Sequence, residues 1–429
     1  LKPAKERLIT LFILIFTIIG PVALSIYIHM PRVELPVKYT GLKYSDILNG
    51  LFNPIFNPAL DKIGERWFST EKYYGFKNGS YKCPIPYVDY KFEYPPFTGL
   101  LWYISTCTAF KYSTSIDEAA LIHYCIQSAF IALFYVLLVY SLYLILRDIL
   151  RIKPLRLLIL LLPSTIVYMV YSWDIIAASL AVLGTLLITK GGRNRVQPLL
   201  AGLLHGLSIS TKILTAGIVY YYIVKYVSIR ESKAHEFVLY AIGVVISGVL
   251  PFLLLYWYAT QGFNYLVNHH LSWYCENCLY MPLVKDIWDS IHRRLFISIA
   301  TALAIVFPLI AAPWRGIDHP VEFKYLLAAT FSLILFNHVF SPQMILMITP
   351  FAIIGLESRF LVLYGVADVF NALIITTFFE YSNPWAFGSI PQYMAFGRNI
   401  TLLLLFIYVV GSILKDKIKY VDRLKGRST

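Results

Sequence analysis

Charge is scarce in this sequence. Only 14% of its 429 residues are Asp, Glu, Lys or Arg, far below the ordinary share for a soluble domain, which excludes a chain solvated on all sides. Nucleotide-binding loops are missing too: there is no GxGxxG after a strand and no GxxxxGK[ST], so an ATP-driven mechanism has no visible site. No internal repeat and no separate soluble domain stand out. Cysteine is sparse. Cys83, Cys107, Cys125, Cys275 and Cys278 are too few for a disulfide framework and are expected to constrain the fold little.

Long apolar runs are what the chain has instead. Hydrophobic residues make up 58% of it, and stretches of membrane-spanning length recur from residue 8 to residue 414. The first, Leu8 to His29, follows the basic "LKPAKER" with no small-residue cleavage site after it, so it reads as a span rather than a cleavable leader. Further spans are expected near residues 119–146, 155–171, 174–189, 197–211, 213–228, 236–258, 294–312, 322–340, 343–357, 360–380 and 398–415. The expectation is an all-α polytopic membrane protein of about 12 transmembrane helices, with residues 1–429 as one integral membrane domain.

The net charge of +13 is explained by short basic loops on one side of that layout, not by nucleic-acid binding. Lys2/Lys5/Arg7, Arg147/Arg151/Lys153/Arg156, Lys190/Arg193/Arg195, Lys225/Arg230/Lys233, Arg315/Lys324, Arg359 and the basic tail 416–429 fall together, where they meet anionic membrane lipids. Both termini are therefore expected in the cytoplasm. The other face carries three loops, 30–96, 259–292 and 381–397, and chemistry belongs there.

Residues 97–111, after Pro95-Pro96 in "FEYPPFTGLLW", are apolar but too few to cross hydrocarbon. Counting them as a span would reverse every later loop. They read as a short re-entrant or interfacial helix begun by the prolines, which cost nothing where a helix's first N–H groups have no partner.

Ionisable and hydrogen-bonding residues on the outer side are the candidates for function. Asp174 in "YSWDIIAASL" opens a span, as a site acid or a helix cap. Lys212 stands on the face otherwise poor in bases, as a phosphate-binding cation or a snorkelling side chain. Asn337, His338, Ser341 and Gln343 surround Pro342 at an outer turn, suiting sugar hydroxyls or merely the turn itself. In "LVNHHLSWYCENCLYMP", His269 and His270 precede Cys275 and Cys278, a spacing open to metal, disulfide or free thiols. Arg293-Arg294 is a second candidate phosphate clamp or a long-loop exception to the charge bias. Acids Glu34, Asp46, Asp61, Glu65, Glu71, Asp89 and Glu93 interleave with tyrosines in the first outer loop, where aromatic faces suit an interface or a sugar.

The ordered set "KYSDI", "FEYPPFTGLLW", "YSWDIIAASLAVLGTLL", "AGLLHGLSISTKI" and "VFSPQMILMITPF" resembles the membrane-embedded GT-C glycosyltransferases. The likeness is to the mannosyltransferases that use polyprenyl (dolichyl) phosphate mannose and to the catalytic subunit of GPI mannosyltransferase I. The resemblance implies an inverting transferase acting on the outer or lumenal face, in a plasma membrane or the endoplasmic reticulum, with a polyprenyl-phosphate sugar donor and a glycan or glycolipid acceptor. It implies Asp46 as the catalytic base and Lys212 facing the phosphate; beside them, Glu93, Tyr94, Asp174, His269, His270, His338, Ser341 and Gln343 are the candidate substrate contacts. Two departures stand out. Leu48 occupies the place where relatives often have a second acid, which removes the paired-acid motif for a metal and leaves a divalent metal an open alternative to no cofactor, and His269-His270 stands where many relatives have an arginine. A secondary transporter is the alternative expectation, with Asp368 the clearest midspan acid, and a non-catalytic membrane subunit a third.

Overall fold

The computed structural model describes residues 2–35, 40–57, 75–80, 82–191, 196–228, 234–284, 286–311 and 319–425. Asp61, Glu65 and Glu71 of the first outer loop, and Arg193, Arg195, Arg230, Lys233, Arg315 and the last residues of the tail, lie outside them. Among the described residues the regular structure is helical, and backbone pairing is confined to isolated bridges such as Glu276 with Val339.

The chain is an all-α integral membrane protein. Glu6–His29, Ile116–Ile149, Ala234–Tyr258, Ser358–Phe378 and Ile390–Ile418 are long and apolar enough to cross a bilayer. Their outward residues include Leu8, Leu11, Phe12, Leu253, Leu254 and Trp257, all exposed, as hydrocarbon contact requires. The other apolar segments form shorter or interrupted helices. Residues 155–171 divide into a tight turn of helix, Pro154–Leu161, and Pro163–Tyr168, because Pro163 cannot donate and Leu162 before it is extended. Asp174–Lys190 is hydrophobic all round because it is buried nearly all round, at the centre of the bundle.

Pro96 occupies the first position of the helix Pro96–Tyr112, preceded by an extended Pro95. Phe97 N–H donates to Ser210 O (2.8 Å) and the Thr98 hydroxyl to Thr211 O (3.2 Å), which ties the start of this helix to the turn carrying Lys212. The cysteines constrain the fold more than expected. Cys83–Cys107 fastens the first outer loop to this helix, and Cys275–Cys278 closes a turn in the second.

The helix Ser358–Phe378 shows how the two ends of the molecule are separated. Ser358 accepts from Arg156, one of the basic cluster, whereas Phe378 lines a cavity among the loops. Twenty-one residues at about 1.5 Å each put these ends about 30 Å apart, the thickness of a hydrocarbon core.

Small residues allow a close helix contact. Gly202 and Gly206 of Gln197–Ile209 face the Tyr240–Gly248 stretch so closely that a Cβ at Gly202 would overlap the Tyr240 carbonyl, and one at Gly206 the Ser247 hydroxyl. Gly202→Val should therefore lower stability by about 1–3 kcal/mol. Thermal unfolding in detergent measures this, and an unchanged midpoint would argue against the close contact.

Candidate active site

Asp46 follows Ser45, whose extended backbone and hydroxyl start a helical turn: Leu48 N–H donates to Ser45 Oγ (3.3 Å) and Ser45 N–H to Asn49 Oδ1 (3.0 Å). Ile47, Leu48, Leu51 and Phe52 bury the apolar side of the turn. Asp46 N–H donates to Tyr171 O (3.0 Å), leaving the carboxylate in the cavity. Its Oδ2 accepts from Tyr94 Oη (2.8 Å) and from Gln343 Nε2 (3.3 Å). Burial raises this carboxyl from its ordinary 3.8 to about 7; the Tyr94 hydrogen bond and Lys212 oppose the rise, and Glu93 and Glu276 add to it.

The cavity, of about 410 Å³, draws its walls from separate parts of the chain. Glu93 and Tyr94 come from just before the Pro96 helix, Lys212 from the turn it is tied to, and His269, His270, Trp273, Tyr274 and Glu276 from the second outer loop. Ser341 and Gln343 come from the Pro342 turn. Pro342, Met344, Ile374, Ile375, Phe378 and Phe379 make an apolar side.

Lys212 is almost buried, its ammonium 4.7 Å from the centre of the Tyr94 ring and 3.3 Å from Asp174 Oδ2. That contact with Asp174 is ionic, lacking hydrogen-bond geometry. Asp174 itself is buried behind Lys212 and does not line the cavity. Glu93 Oε2 lies 3.2 Å from His269 Nε2, and the Glu93 carbonyl accepts from His270 Nε2 (2.8 Å). Burial raises the Glu93 carboxyl to about 7, with Lys212 opposing, and lowers His270 to about 4, so that His270 is neutral.

No protein-family profile and no curated protein sequence matches the chain. One solved structure is similar in outline. The crystal structure of ArnT from Cupriavidus metallidurans bound to undecaprenyl phosphate aligns over 94% of this chain and 78% of that one, at 12% identity and a TM-score of 0.43. Chains that differ this much can differ in every site residue.

Of the residues singled out from the sequence, Asp46, Glu93, Tyr94, Lys212, His269, His270, Ser341 and Gln343 meet at one cavity. His338 does not. Its Nε2 donates to His270 O (3.2 Å) and its carbonyl accepts from Glu276 N–H (3.1 Å), so it fastens the two loops from behind instead of contacting a substrate. Asp174 reaches the cavity through Lys212 alone. Arg293 and Arg294 do not line it. The Cys275–Cys278 spacing, open to three readings, is a disulfide. Among the described residues no three His, Cys, Asp or Glu side chains form a metal-ligand group.

Glu276 was missed, although it sits between the two cysteines that drew attention. So were Tyr171, Tyr274 and Trp385, which also line the cavity; Tyr44, one of the first-loop aromatics, lines it as well. Aromatic residues are too common here for any of these to stand out, at 16% of the chain.

The raised carboxyl has a consequence for stability. A carboxylate whose folded pKa exceeds its unfolded one disfavours the fold once it ionises, so stability is lost as pH rises from about 4 through about 7. Asp46→Asn should raise the unfolding midpoint at pH 8 and leave it nearly unchanged at pH 4. A midpoint shifted equally at both would mean that burial of the charge is not what raises the pKa.

Proposed function

We propose that the protein is an inverting glycosyltransferase that moves a sugar from a polyprenyl phosphate donor to a hydroxyl of a glycan or glycolipid acceptor. The single observation that carries this reading is a carboxylate near neutrality, Asp46, sharing one cavity with the nearly buried cation Lys212 and with an apolar wall. By the resemblance of its motifs the sugar is mannose. The loop end lies outside the cell or in the lumen, and both termini are cytoplasmic.

In the reaction, the acceptor oxygen attacks the anomeric carbon while its proton passes to Asp46. The bond from that carbon to the phosphate oxygen breaks, and the electron pair leaves with the phosphate. A phosphate is a weak base, so its departure needs positive charge more than a proton, and Lys212 supplies it. Tyr94 and Gln343 fix the Asp46 oxygen they hold, and Tyr94 also faces Lys212, so that base and cation are set by one side chain. The lipid part of the donor fits the wall of Ile374, Ile375, Phe378 and Phe379. Asp368, the acid a transporter would use at midspan, accepts from Ser164 N–H (2.9 Å) and does not line the cavity.

Purified protein should transfer radiolabel from polyprenyl-phosphate-mannose to extracted membrane glycolipids. Asp46→Ala and Asp46→Asn should each lower this by about 10²–10⁴-fold. Because the base must be unprotonated, wild-type kcat/KM should rise with pH and level off above about 7. Full activity in both variants would remove Asp46 as the base. Glu93→Gln should weaken transfer without abolishing it; complete loss in a folded protein would make Glu93 the leading acid.

A further inference from the structure

Glu276 is held with more scaffolding than its loop requires. Its N–H donates to His338 O (3.1 Å) and its carbonyl accepts from Phe340 N–H (2.9 Å), fixing the backbone on both sides. The next residue, Asn277, has a left-handed φ of 49°. Its carbonyl accepts from Arg398 Nη2 (2.7 Å) and Asn399 Nδ2 (2.9 Å), and its side-chain oxygen from Gln392 Nε2 (3.0 Å). The Cys275–Cys278 bond closes the turn around both residues, and both cysteines are buried.

The carboxylate at the end of this support faces the cavity. Trp273 Nε1 donates to its Oε2 (2.7 Å), and the Ser341 hydroxyl nearby favours its ionised form. An ionised carboxylate has about four acceptor sites, so most remain for an occupant. The charge is costly where it stands, because it works against ionisation of Asp46 and Glu93 in the same cavity. A glutamine could accept from Trp273 without that repulsion. What the carboxylate adds is two equivalent, strongly accepting oxygens, which suit hydroxyl donors on adjacent carbons.

Aromatic faces stand beside it. Trp273 and Tyr274 have ring centres 5.1 Å apart, and Trp385 donates through Nε1 to Tyr274 Oη (2.5 Å), which fixes the Tyr274 ring at the cavity. Carboxylate and rings together offer hydrogen-bond acceptance next to a flat apolar surface.

We propose that Glu276 is a specificity-determining residue whose carboxylate accepts hydrogen bonds from two adjacent hydroxyls of the donor sugar while Trp273 and Tyr274 cover the ring's apolar face. This rests on the glycosyl-transfer reading. It deepens that reading by assigning sugar choice to the disulfide-closed loop and separating it from proton removal at Asp46.

The test is a binding panel on the full chain in detergent, using a short-chain polyprenyl-phosphate-mannose, its 2-, 3-, 4- and 6-deoxy analogues, and the sugar-free polyprenyl phosphate. Wild type should bind two analogues deoxygenated at neighbouring carbons about ten- to a hundredfold more weakly than the parent. Glu276→Gln should weaken the parent by a similar factor and erase the penalty for those two analogues, with unchanged affinity for sugar-free polyprenyl phosphate. Glu276→Asp keeps the charge but withdraws it by one methylene, and should erase the penalty in the same way, so the test does not depend on one variant folding. Unfolding midpoints and peptide mapping of Cys275–Cys278 check that the loop is intact.

If both variants weaken all five sugar-bearing ligands equally, or change none, Glu276 does not read hydroxyls and the proposal falls while the transferase reading stands. If wild type binds neither the parent nor polyprenyl phosphate better than uncharged polyprenol, the transferase reading falls and takes this proposal with it.

Discussion

A guanidinium with no exposed surface holds the cavity together. Arg398 lies in the helix Ile390–Lys425 and stacks 3.6 Å from the centre of the Phe340 ring. Its Nη2 donates to Asn277 O, and its Nη1 to Asn371 Oδ1 (2.8 Å). Asn371 then donates to Pro342 O (2.9 Å) and to Ser164 Oγ (3.0 Å). One cation thus connects the disulfide-closed loop, the Pro342 turn and two long helices. A buried charge is expensive unless all its hydrogens are placed, and here the Nε also donates, to Asn399 Oδ1 (2.9 Å). The partners are amides and carbonyls and not a carboxylate, so the network keeps its positive charge beneath a cavity rich in acids, where it favours the ionised form of Glu276.

That arrangement explains how the acids can share one small space. Burial raises the carboxyls of Asp46, Glu93 and Glu276, Glu276 adds to the rise at the other two, and Lys212 opposes the rise in each of them. The result is that Asp46 is raised to about 7, where a carboxylate can accept a proton from an alcohol. Lys212 has a partner of its own in Asp174, on the side away from the cavity, so its position does not depend on the carboxylates that line it.

Much of this was legible in the sequence, and the unread part has physical causes. The long apolar runs appear as helices because hydrocarbon length and backbone satisfaction leave few other solutions. Pro95-Pro96 marked a helix start because proline fits the first turn and little else in a helix. Residues 155–171 were harder. A run apolar enough for a span is interrupted by Pro163, and composition does not register an interruption that burial compensates. Asp46 was singled out through the resemblance of "KYSDI", since position alone leaves it one acid among several. His338 and His270 illustrate another limit: two histidines in separate outer connections look alike in sequence, yet His270 faces the cavity and His338 fastens the loop from behind. In sequence Arg398 is simply a base near a short outer connection, and its partners, Asn277 and Asn371, lie 121 and 27 residues away.

The disulfides and the basic loops bear on orientation by unrelated physics. Cys83–Cys107 joins the first outer loop to the Pro96 helix, and Cys275–Cys278 closes the turn that carries Glu276, so both belong to the end of the molecule that holds the cavity. Such bonds persist in oxidising compartments. Arg156 and its partner Ser358 mark the other end, where the positive-inside tendency expects cytoplasm. Charge bias acts on how loops cross a membrane during insertion, and disulfide survival depends on the redox state afterwards, so agreement between them supports the proposed orientation more than either does alone. The same geometry separates two Asn-X-Ser/Thr sequons, Asn78-Gly79-Ser80 and Asn399-Ile400-Thr401. Asn78 is exposed in the first outer loop, whereas Asn399 is buried with its amide donating to Asn277 O. A glycan on Asn399 would remove one of the bonds that hold Glu276 in place, so this fold uses that asparagine as a scaffold for the site and not as an attachment point.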